Sequence, residues 1–256
     1  MSYLFKDVGY IENIKIDKWD VSNVINMKGM FYENSYFSGK GLENWDVSNV
    51  KDMSYMFEKC SYFNTNLNNW NVSNVTDMNH MFHNCSKFNY NLNKWNVNNV
   101  IDMSDMFGWC KKFNRNLNKW DVSNVKDMSR MFSGCEFFDG DLSNWNVSEV
   151  TDMFAMFSGC ELFTGKGLNK WDVSKVKNMG LMFENCYNFN CNLYTWNVSN
   201  VINMESMFTR CHHFNGDLSK WNVSSVNDMY TMFFDCPSFT GKGLNKWDVS
   251  NVKNMS

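Results

Sequence analysis

The chain has 256 residues, of which 44% are hydrophobic and 20% charged, and its formal net charge is −3. An aromatic content of 17% with a single proline excludes collagen-like and proline-rich disordered chains, because so many rings require a folded core. The near-neutral charge argues against general nucleic-acid binding, and no apolar run reaches the 18 or so residues of a membrane span.

A repeat of 25 or 26 residues explains this composition. One unit reads W-[DN]-V-S-x-V-x-[DN]-M-x-x-M-F-x-x-C-x-x-F-x-x-x-L-x-x-W, and it places nearly all Met, Phe, Trp and Cys residues in fixed columns. We number the repeats 1 to 10 by their tryptophans: Trp19, Trp45, Trp70, Trp95, Trp120, Trp145, Trp171, Trp196, Trp221 and Trp247.

The repeat predicts a single solenoid domain, because a unit this short cannot bury its apolar residues alone and must stack on its neighbours. We expect residues 1–18 to form an N-terminal cap or partial repeat. Residues 19–256 are predicted to form one continuous solenoid of about ten repeats that ends within a repeat.

Within each unit, the segment Leu-x-x-Trp-x-Val comes first. Its apolar alternation, as in Leu67 to Val72, predicts a short strand, and stacked copies would form a parallel sheet. The next segment, such as 52–60, has apolar residues at three-to-four spacing after an Asp or Asn that suits an N-cap. A short helix is predicted there, which gives an α/β repeat solenoid.

Two other positions carry turn signals. The residue after each Trp is Asp or Asn, and both share a short side-chain oxygen that can accept a backbone N–H at a turn. Gly-Lys-Gly sequences at 39–41, 165–167 and 241–243 add one residue to three repeats. Because no P-loop pattern surrounds them, we interpret these glycines as turn residues with positive φ.

These units, for example W-D-V-S-N-V-K-D-M-S-Y-M-F-E-K-C from Trp45 to Cys60, resemble the BspA-like leucine-rich-repeat family. More narrowly, they are similar to the repeat domain of unknown function found in mycoplasma surface lipoproteins, bacteria, protists and giant viruses. The resemblance covers about 240 residues. It implies a leucine-rich-repeat-type solenoid with a role in adhesion or protein binding.

Eight of the nine cysteines share one column, and Cys191 stands outside it. Their periodicity matches an apolar column and no C-x-x-C pair is present, so buried free thiols are predicted rather than disulfides or a zinc site. Cys191 is expected near solvent. Free thiols, with no secretory signal or lipid-attachment cysteine near the start, predict an intracellular reducing or virion-associated location.

No catalytic, cofactor or metal site is predicted. His80 and His83 are three residues apart and His212 and His213 are adjacent, but the sequence fixes no third ligand or acidic partner beside them. A nucleophile, a base and an orienting acid would have to break the repeat locally, and nothing in the sequence does so. The chain is therefore predicted not to be an enzyme.

Exposed residues outside the apolar columns are the candidates for partner binding. Seven aromatic residues stand where other repeats have small or polar ones: Tyr55, Trp109, Phe137, Phe154, Tyr194, Tyr230 and Phe234. Lysines before Trp should form an exposed stripe, which is either a solvated face or a strip for an acidic partner: Lys94, Lys119, Lys170, Lys220 and Lys246.

Two functions follow from these features. The first is a non-enzymatic scaffold for protein–protein interaction or adhesion through its variable surface side chains, with an unidentified protein partner. The second is a structural component of a virion or fibre that assembles end to end, since the last repeat has no polar cap. Neither function involves nucleic acid or a membrane span.

Overall fold

The computed structural model describes residues 1–9, 11 and 14–256, and it shows a solenoid of stacked repeats. The described residues contain three 3₁₀ helices, Ile16–Lys18, Leu168–Lys170 and Leu244–Lys246, and no α-helix or extended strand. Isolated parallel bridges join the Asp or Asn before the first Met of one repeat to its counterpart in the next: Asn26, Asp52, Asp77, Asp102, Asp127, Asp152, Asn178, Asn203, Asp228 and Asn254. The predicted solenoid is thus built largely of turns.

Hydrogen bonds between repeats come mainly from the Met–Cys segment, the eight residues from the first Met to the Cys position (53–60 in repeat 2). There the N–H groups of residues 53, 55, 57 and 59 donate to the carbonyl oxygens of residues 77, 79, 81 and 83 in repeat 3, at 3.0, 2.9, 2.9 and 2.8 Å. The N–H groups between them close turns within the repeat, as Met56 does to the Met53 carbonyl at 3.2 Å. Every second amide therefore links neighbouring repeats.

The helix predicted over 52–60 is not formed. Tyr55 and Lys59 have φ angles of 60°, the left-handed value that the third residue of a type II turn requires and an α-helix does not allow. The Asp or Asn before the segment therefore caps a turn rather than a helix, and the Oδ1 atom of Asp52 accepts the Ser54 N–H at 3.0 Å. The three-to-four apolar spacing reflects successive tight turns whose apolar residues share one side.

The strand predicted over Leu67 to Val72 is also absent. The Leu67 carbonyl accepts the Trp70 N–H at 3.0 Å and the Val72 carbonyl accepts the Val75 N–H at 2.9 Å, so the segment is two turns. Its buried face was predicted correctly, since Trp70 and Val72 are only 3% and 1% exposed. Contact with the preceding repeat runs through a side chain, because the indole Nε1–H of Trp70 donates to the Leu42 carbonyl at 2.9 Å.

The core consists of like residues stacked on like residues. The rings of Phe57, Phe82 and Phe107 follow one another at centroid distances of 5.6 and 5.7 Å, and those of Trp95 and Trp120 are 6.3 Å apart and nearly parallel. The Met columns of repeats 1 to 8 are fully buried. Each repeat thus supplies one layer of a continuous core, which is the source of stability for units that cannot fold alone.

Within the segment 1–18, predicted to be an N-terminal cap or partial repeat, residues 1–8 follow the repeat pattern. Their sequence, M-S-Y-L-F-K-D-V, follows the Met–Cys segment with Leu4 at the second Met position and Val8 at the Cys position. The N–H groups of residues 3, 5 and 7 donate to the carbonyl oxygens of 28, 30 and 32 in repeat 1. Phe5 extends the Phe column, 5.6 Å from the ring of Phe31.

The turn residues behave as predicted. All ten Asp or Asn residues after Trp accept the backbone N–H two positions later. In the Gly-Lys-Gly turns, Gly167 has a φ of 92°, and a Cβ there would stand 2.5 Å from the backbone nitrogen of Ser143. A side chain at this position is therefore excluded both by conformation and by space.

The cysteine column forms no disulfides, as predicted. Seven thiols are buried, whereas Cys191 and also Cys236 are half-buried. The column thiols donate to the Phe carbonyl of the preceding repeat, as Cys110 Sγ does to Phe82 at 3.0 Å. Burial raises the pKa of the Cys110 thiol, which disfavours the reactive thiolate.

Thiol titration with a small aromatic disulfide reagent tests this arrangement. Two thiols, Cys191 and Cys236, should react in the native protein, and the remaining seven of the nine only after denaturation. A Cys191→Ser variant should lose one native-state thiol and retain the masked set. Fewer than nine thiols after denaturation without reductant would show that disulfides form in the column.

Candidate interaction face

The residue types on one side of the solenoid differ from repeat to repeat, whereas those on its other sides recur. This variable face comprises the second, third, sixth and seventh residues of each Met–Cys segment and the two residues that follow the segment. Six of the seven aromatic residues proposed for partner binding belong to it: Tyr55, Trp109, Phe137, Phe154, Tyr230 and Phe234. Tyr194 does not, because it lies between the Leu and Trp columns.

The centre of the variable face carries an apolar patch in repeats 4 to 6. Trp109, Phe137 and Leu162 are 50%, 51% and 44% exposed. The indole of Trp109 lies over Gly134, where a Cβ would approach its ring atoms to 3.0 Å. Large exposed rings supported on backbone in this way are rigid, so they lose little conformational entropy when a partner covers them.

Charged groups also lie on the variable face in repeats 4 to 6. The guanidinium of Arg130 lies 4.7 Å from the ring centre of the half-buried Phe154, and Lys111 forms an ion pair with Glu136 at 2.8 Å. An apolar centre with a charged rim is the usual anatomy of a protein-binding surface.

Sequence reasoning missed part of the exposed apolar surface. Leu162 was overlooked because only aromatic residues were considered, and Tyr36 and Tyr62, which are 59% and 49% exposed, were not singled out. All three stand two residues after the Cys position, as Phe137 does. Comparison of that column between repeats would have found them.

The five candidate lysines and Tyr194 lie together on a different part of the surface. All five lysines are exposed, as predicted, and within the described part of the chain none of them forms an ion pair with a carboxylate. Lys220 lies 4.7 Å from the ring centre of Tyr194. The role of the stripe, as a solvated face or as a strip for an acidic partner, stays a prediction.

The histidines are not isolated from acidic groups, contrary to the sequence-based expectation. His80 Nε2 lies 3.5 Å from Asp105 Oδ2, and His83 Nδ1 lies 3.4 Å from Glu58 Oε1. The carboxylates come from the repeats before and after, which is why a search along the chain did not find them. His212 similarly faces Asp235 at 3.5 Å.

Beside the variable face runs a column of five consecutive aspartates, from Asp52 to Asp152. Burial raises the pKa of Asp77, and the neighbouring carboxylates Asp102 and Asp52 add to the effect. Burial also raises the pKa of Asp152. In the repeats on either side of these five the column holds an asparagine, and Asn26 Nδ2 donates to Asp52 Oδ2 at 3.0 Å.

Residues 1–9, 11 and 14–256 contain neither a metal-ligand cluster nor a membrane-spanning helix. No group of three or more His, Cys, Asp or Glu side chains in this part of the chain is arranged to hold a metal ion. Within the same residues, no helix has the length and apolar character needed to cross a bilayer.

Stacked turns, like-on-like core columns and one variable face define a repeat solenoid. The family described as "Mycoplasma protein of unknown function, DUF285" matches residues 1–110, 91–167 and 155–256, which together span the chain. The protein belongs to this family. The match confirms the resemblance drawn from the repeat motif.

Distant similarity links the chain to solved leucine-rich-repeat proteins. A leucine-rich cell surface protein from Faecalibacterium prausnitzii A2-165 is 11% identical, with 73% of this chain and 74% of that chain covered and a TM-score of 0.25. An LRR protein of Leptospira interrogans is 8% identical, with 84% and 62% covered and a TM-score of 0.21. No curated protein matches the chain.

The aspartate column generates a stability prediction. Because the folded-state pKa of Asp77 is raised above its ordinary value, its contribution to stability is lost as pH rises through the folded-state pKa. Asp77→Asn should therefore raise the midpoint of urea unfolding at neutral pH, and the gain should disappear in acid. Asparagine already occupies this column at Asn178 and Asn203.

Asp46→Asn is the matched control, since hydrogen bonds from Ser48 lower the pKa of the exposed Asp46 and its charge is favourable. This variant should not be stabilised at neutral pH. An Asp77→Asn protein no more stable than Asp46→Asn would show that the stacked carboxylates do not repel one another appreciably.

Proposed function

We propose that the protein is a non-enzymatic scaffold that binds another protein through the variable face, with Trp109, Phe137 and Leu162 at the centre of the contact. The exposure of these three apolar side chains carries the proposal, because exposed apolar patches mark interaction sites and aromatic residues are enriched in interfaces.

Several features support a protein partner for this scaffold. The net charge of −3 does not favour nucleic acid as a partner. The free, buried thiols suit assembly in a reducing compartment, either within a cell or before packaging into a virion. Adhesion is a special case of protein binding, in which the bound protein is displayed on another cell or particle.

A binding experiment with a triple variant tests the proposal. Trp109→Ser, Phe137→Ser and Leu162→Ser together should weaken by at least about tenfold the binding of partners that the immobilised chain captures from an extract of its source cells. Competition with soluble wild-type protein measures the change in affinity.

The matched control replaces Ile25, Ile101 and Ile202 with Ser, which removes three apolar side chains that are 58%, 47% and 43% exposed outside the variable face. Control binding should equal wild type. Equal losses in the two triple variants, or none in either, would remove the patch as the binding site.

End-to-end assembly into a fibre is a second candidate function. A mainly apolar groove of about 500 Å³ lies at the Trp247 end of the solenoid, between Met229, Phe234, Leu244 and Met255. A stacked layer from a second copy would bury these side chains, as each repeat buries those of its neighbour.

Light scattering across a concentration series tests this second candidate. Self-association should raise the mean mass with concentration, and Met255→Lys, which places a charge in the groove, should restore the monomer. Tyr36→Lys, at a comparably exposed apolar residue far along the chain, is the control. A constant monomeric mass for the wild-type chain would contradict end-to-end assembly.

A further inference from the structure

Two columns of the variable face change the sign of their charge between repeats 4 and 5. At the third residue of the Met–Cys segment, repeat 4 has Asp105 and repeat 5 has Arg130. At the residue that follows the segment the order is reversed, with Lys111 in repeat 4 and Glu136 in repeat 5. Arg130 and Lys111 are exposed, Glu136 is half-buried and Asp105 is 8% exposed. Each charge in repeat 4 therefore has its opposite at the same column in repeat 5.

Trp109 stands between these two columns in the sequence, and its indole marks the boundary between the two repeats. The residue belongs to repeat 4, but its ring lies over Gly134 of repeat 5. Gly159, the next residue in the same column, also lacks a side chain, and a Cβ built there would approach only the backbone of Gly134, at 3.4 Å. This column is therefore open on the side of repeat 6, and a partner can reach the half-exposed indole.

A two-fold axis that crosses the stack between repeats 4 and 5 would pair all these groups. When two copies meet face to face about such an axis, each column faces the same column of the second copy in reversed repeat order, and every contact occurs twice. Lys111 of one copy then faces Glu136 of the other, Arg130 faces Asp105, and the two Trp109 indoles meet at the axis. The face is thus complementary to itself in charge, with aromatic rings at its centre.

The charge complementarity continues toward both ends of the face. The reversed order sets repeat 1 against repeat 8, where the second residue of the segment is Lys28 in one and Glu205 in the other. The seventh residue of the segment is Glu33 in repeat 1 and Arg210 in repeat 8. Opposite charges arranged in this way favour the encounter of two copies and fix their register.

Like charges meet at two places in this arrangement. Glu58 would face Glu184, but Glu58 is only 7% exposed, and Asp7 would face Asp235 near the ends of the stack. A two-fold axis that runs along the stack is less favourable, because each repeat would then meet its own copy. In the column of the seventh residue, Lys59 would face Lys59 and Asp235 would face Asp235.

We infer that the variable face binds a second copy of the chain, giving an antiparallel two-fold dimer with Trp109 at its axis. The inference rests on the proposed function, because it names the protein that covers the exposed apolar patch. The reversed order also brings the alkyl stem of Lys112 over Phe137 and that of Lys87 over Leu162, so these apolar side chains are covered. A contact of this kind closes on itself, so assembly stops at two chains, in contrast to end-to-end stacking.

Light scattering with charge-reversed variants tests the dimer. The mean mass of the wild-type chain should rise with concentration from 30.2 kDa to twice that value and no further. Lys111→Glu and Glu136→Lys should each weaken the dimer by at least about tenfold, because each variant sets like charges against one another across the axis. An equimolar mixture of the two variants should recover the wild-type affinity, since every reversed charge then faces its opposite.

Lys175→Glu and Glu149→Lys are the matched controls, because Lys175 and Glu149 form an exposed ion pair between neighbouring repeats outside the variable face. Both control variants should dimerise as the wild-type chain does. Masses above two chains would overturn the inference. So would a mixture of Lys111→Glu and Glu136→Lys that associates no more tightly than either variant alone.

The partner-capture experiment separates this inference from the proposed function. A wild-type chain that stays monomeric at every concentration overturns the dimer. The proposed function still holds in that case if Trp109→Ser, Phe137→Ser and Leu162→Ser together weaken the binding of partners captured from the extract. Both are overturned if the wild-type chain is monomeric and the triple variant binds the same partners with unchanged affinity.

Discussion

The structure depends on how the backbone amides of the Met–Cys segment are shared. Every second N–H is donated to the next repeat, and those between them close turns within the same repeat. This division places residues such as Tyr55 and Lys59 in the left-handed region, which is unfavourable for side chains other than glycine. The buried columns must offset that cost, so the fold depends on apolar burial in every repeat.

The sequence predicted the solenoid, its repeat boundaries and its buried columns, because all of these follow from the period and from which residues are apolar. It did not predict the local backbone. Apolar residues at three-to-four spacing, as in 53–60, suit both a helix and a run of tight turns. The positions that need positive φ hold Tyr55, His80 and Asp105 in successive repeats, so no recurring glycine marks them in the sequence.

The same reasoning explains which surface residues were predicted. Trp109 and Phe137 stood out because they depart from their columns, and both are exposed. The contacts of His83 with Glu58 and of His80 with Asp105 were missed because each pair is separated by 25 residues along the chain. Residues one repeat apart in the sequence are neighbours in the stack. Alignment of the repeats therefore brings together residues that a search along the chain keeps apart.

The Cys column and the position after Trp differ in what they require of a side chain. The Cys column accepts Asn34 in repeat 1, where the side-chain amide donates to the Phe5 carbonyl, as each thiol of the column donates to the Phe carbonyl of the preceding repeat. The Cys column therefore requires a hydrogen-bond donor of the right size as well as a side chain that can be buried. The Asp or Asn after Trp is selected only for an acceptor oxygen, so the two types alternate freely.

The sharing of amides also gives the solenoid an electrical polarity. In the peptide units 52–53, 54–55, 56–57 and 58–59, the carbonyl accepts from the preceding repeat and the N–H donates to the following one. Their dipoles point the same way along the stack and add from repeat to repeat, as they do along an α-helix. The Trp247 end is therefore the positive pole and the Met1 end the negative pole of a long backbone dipole. A charged ligand approaching along the axis would meet opposite fields at the two ends.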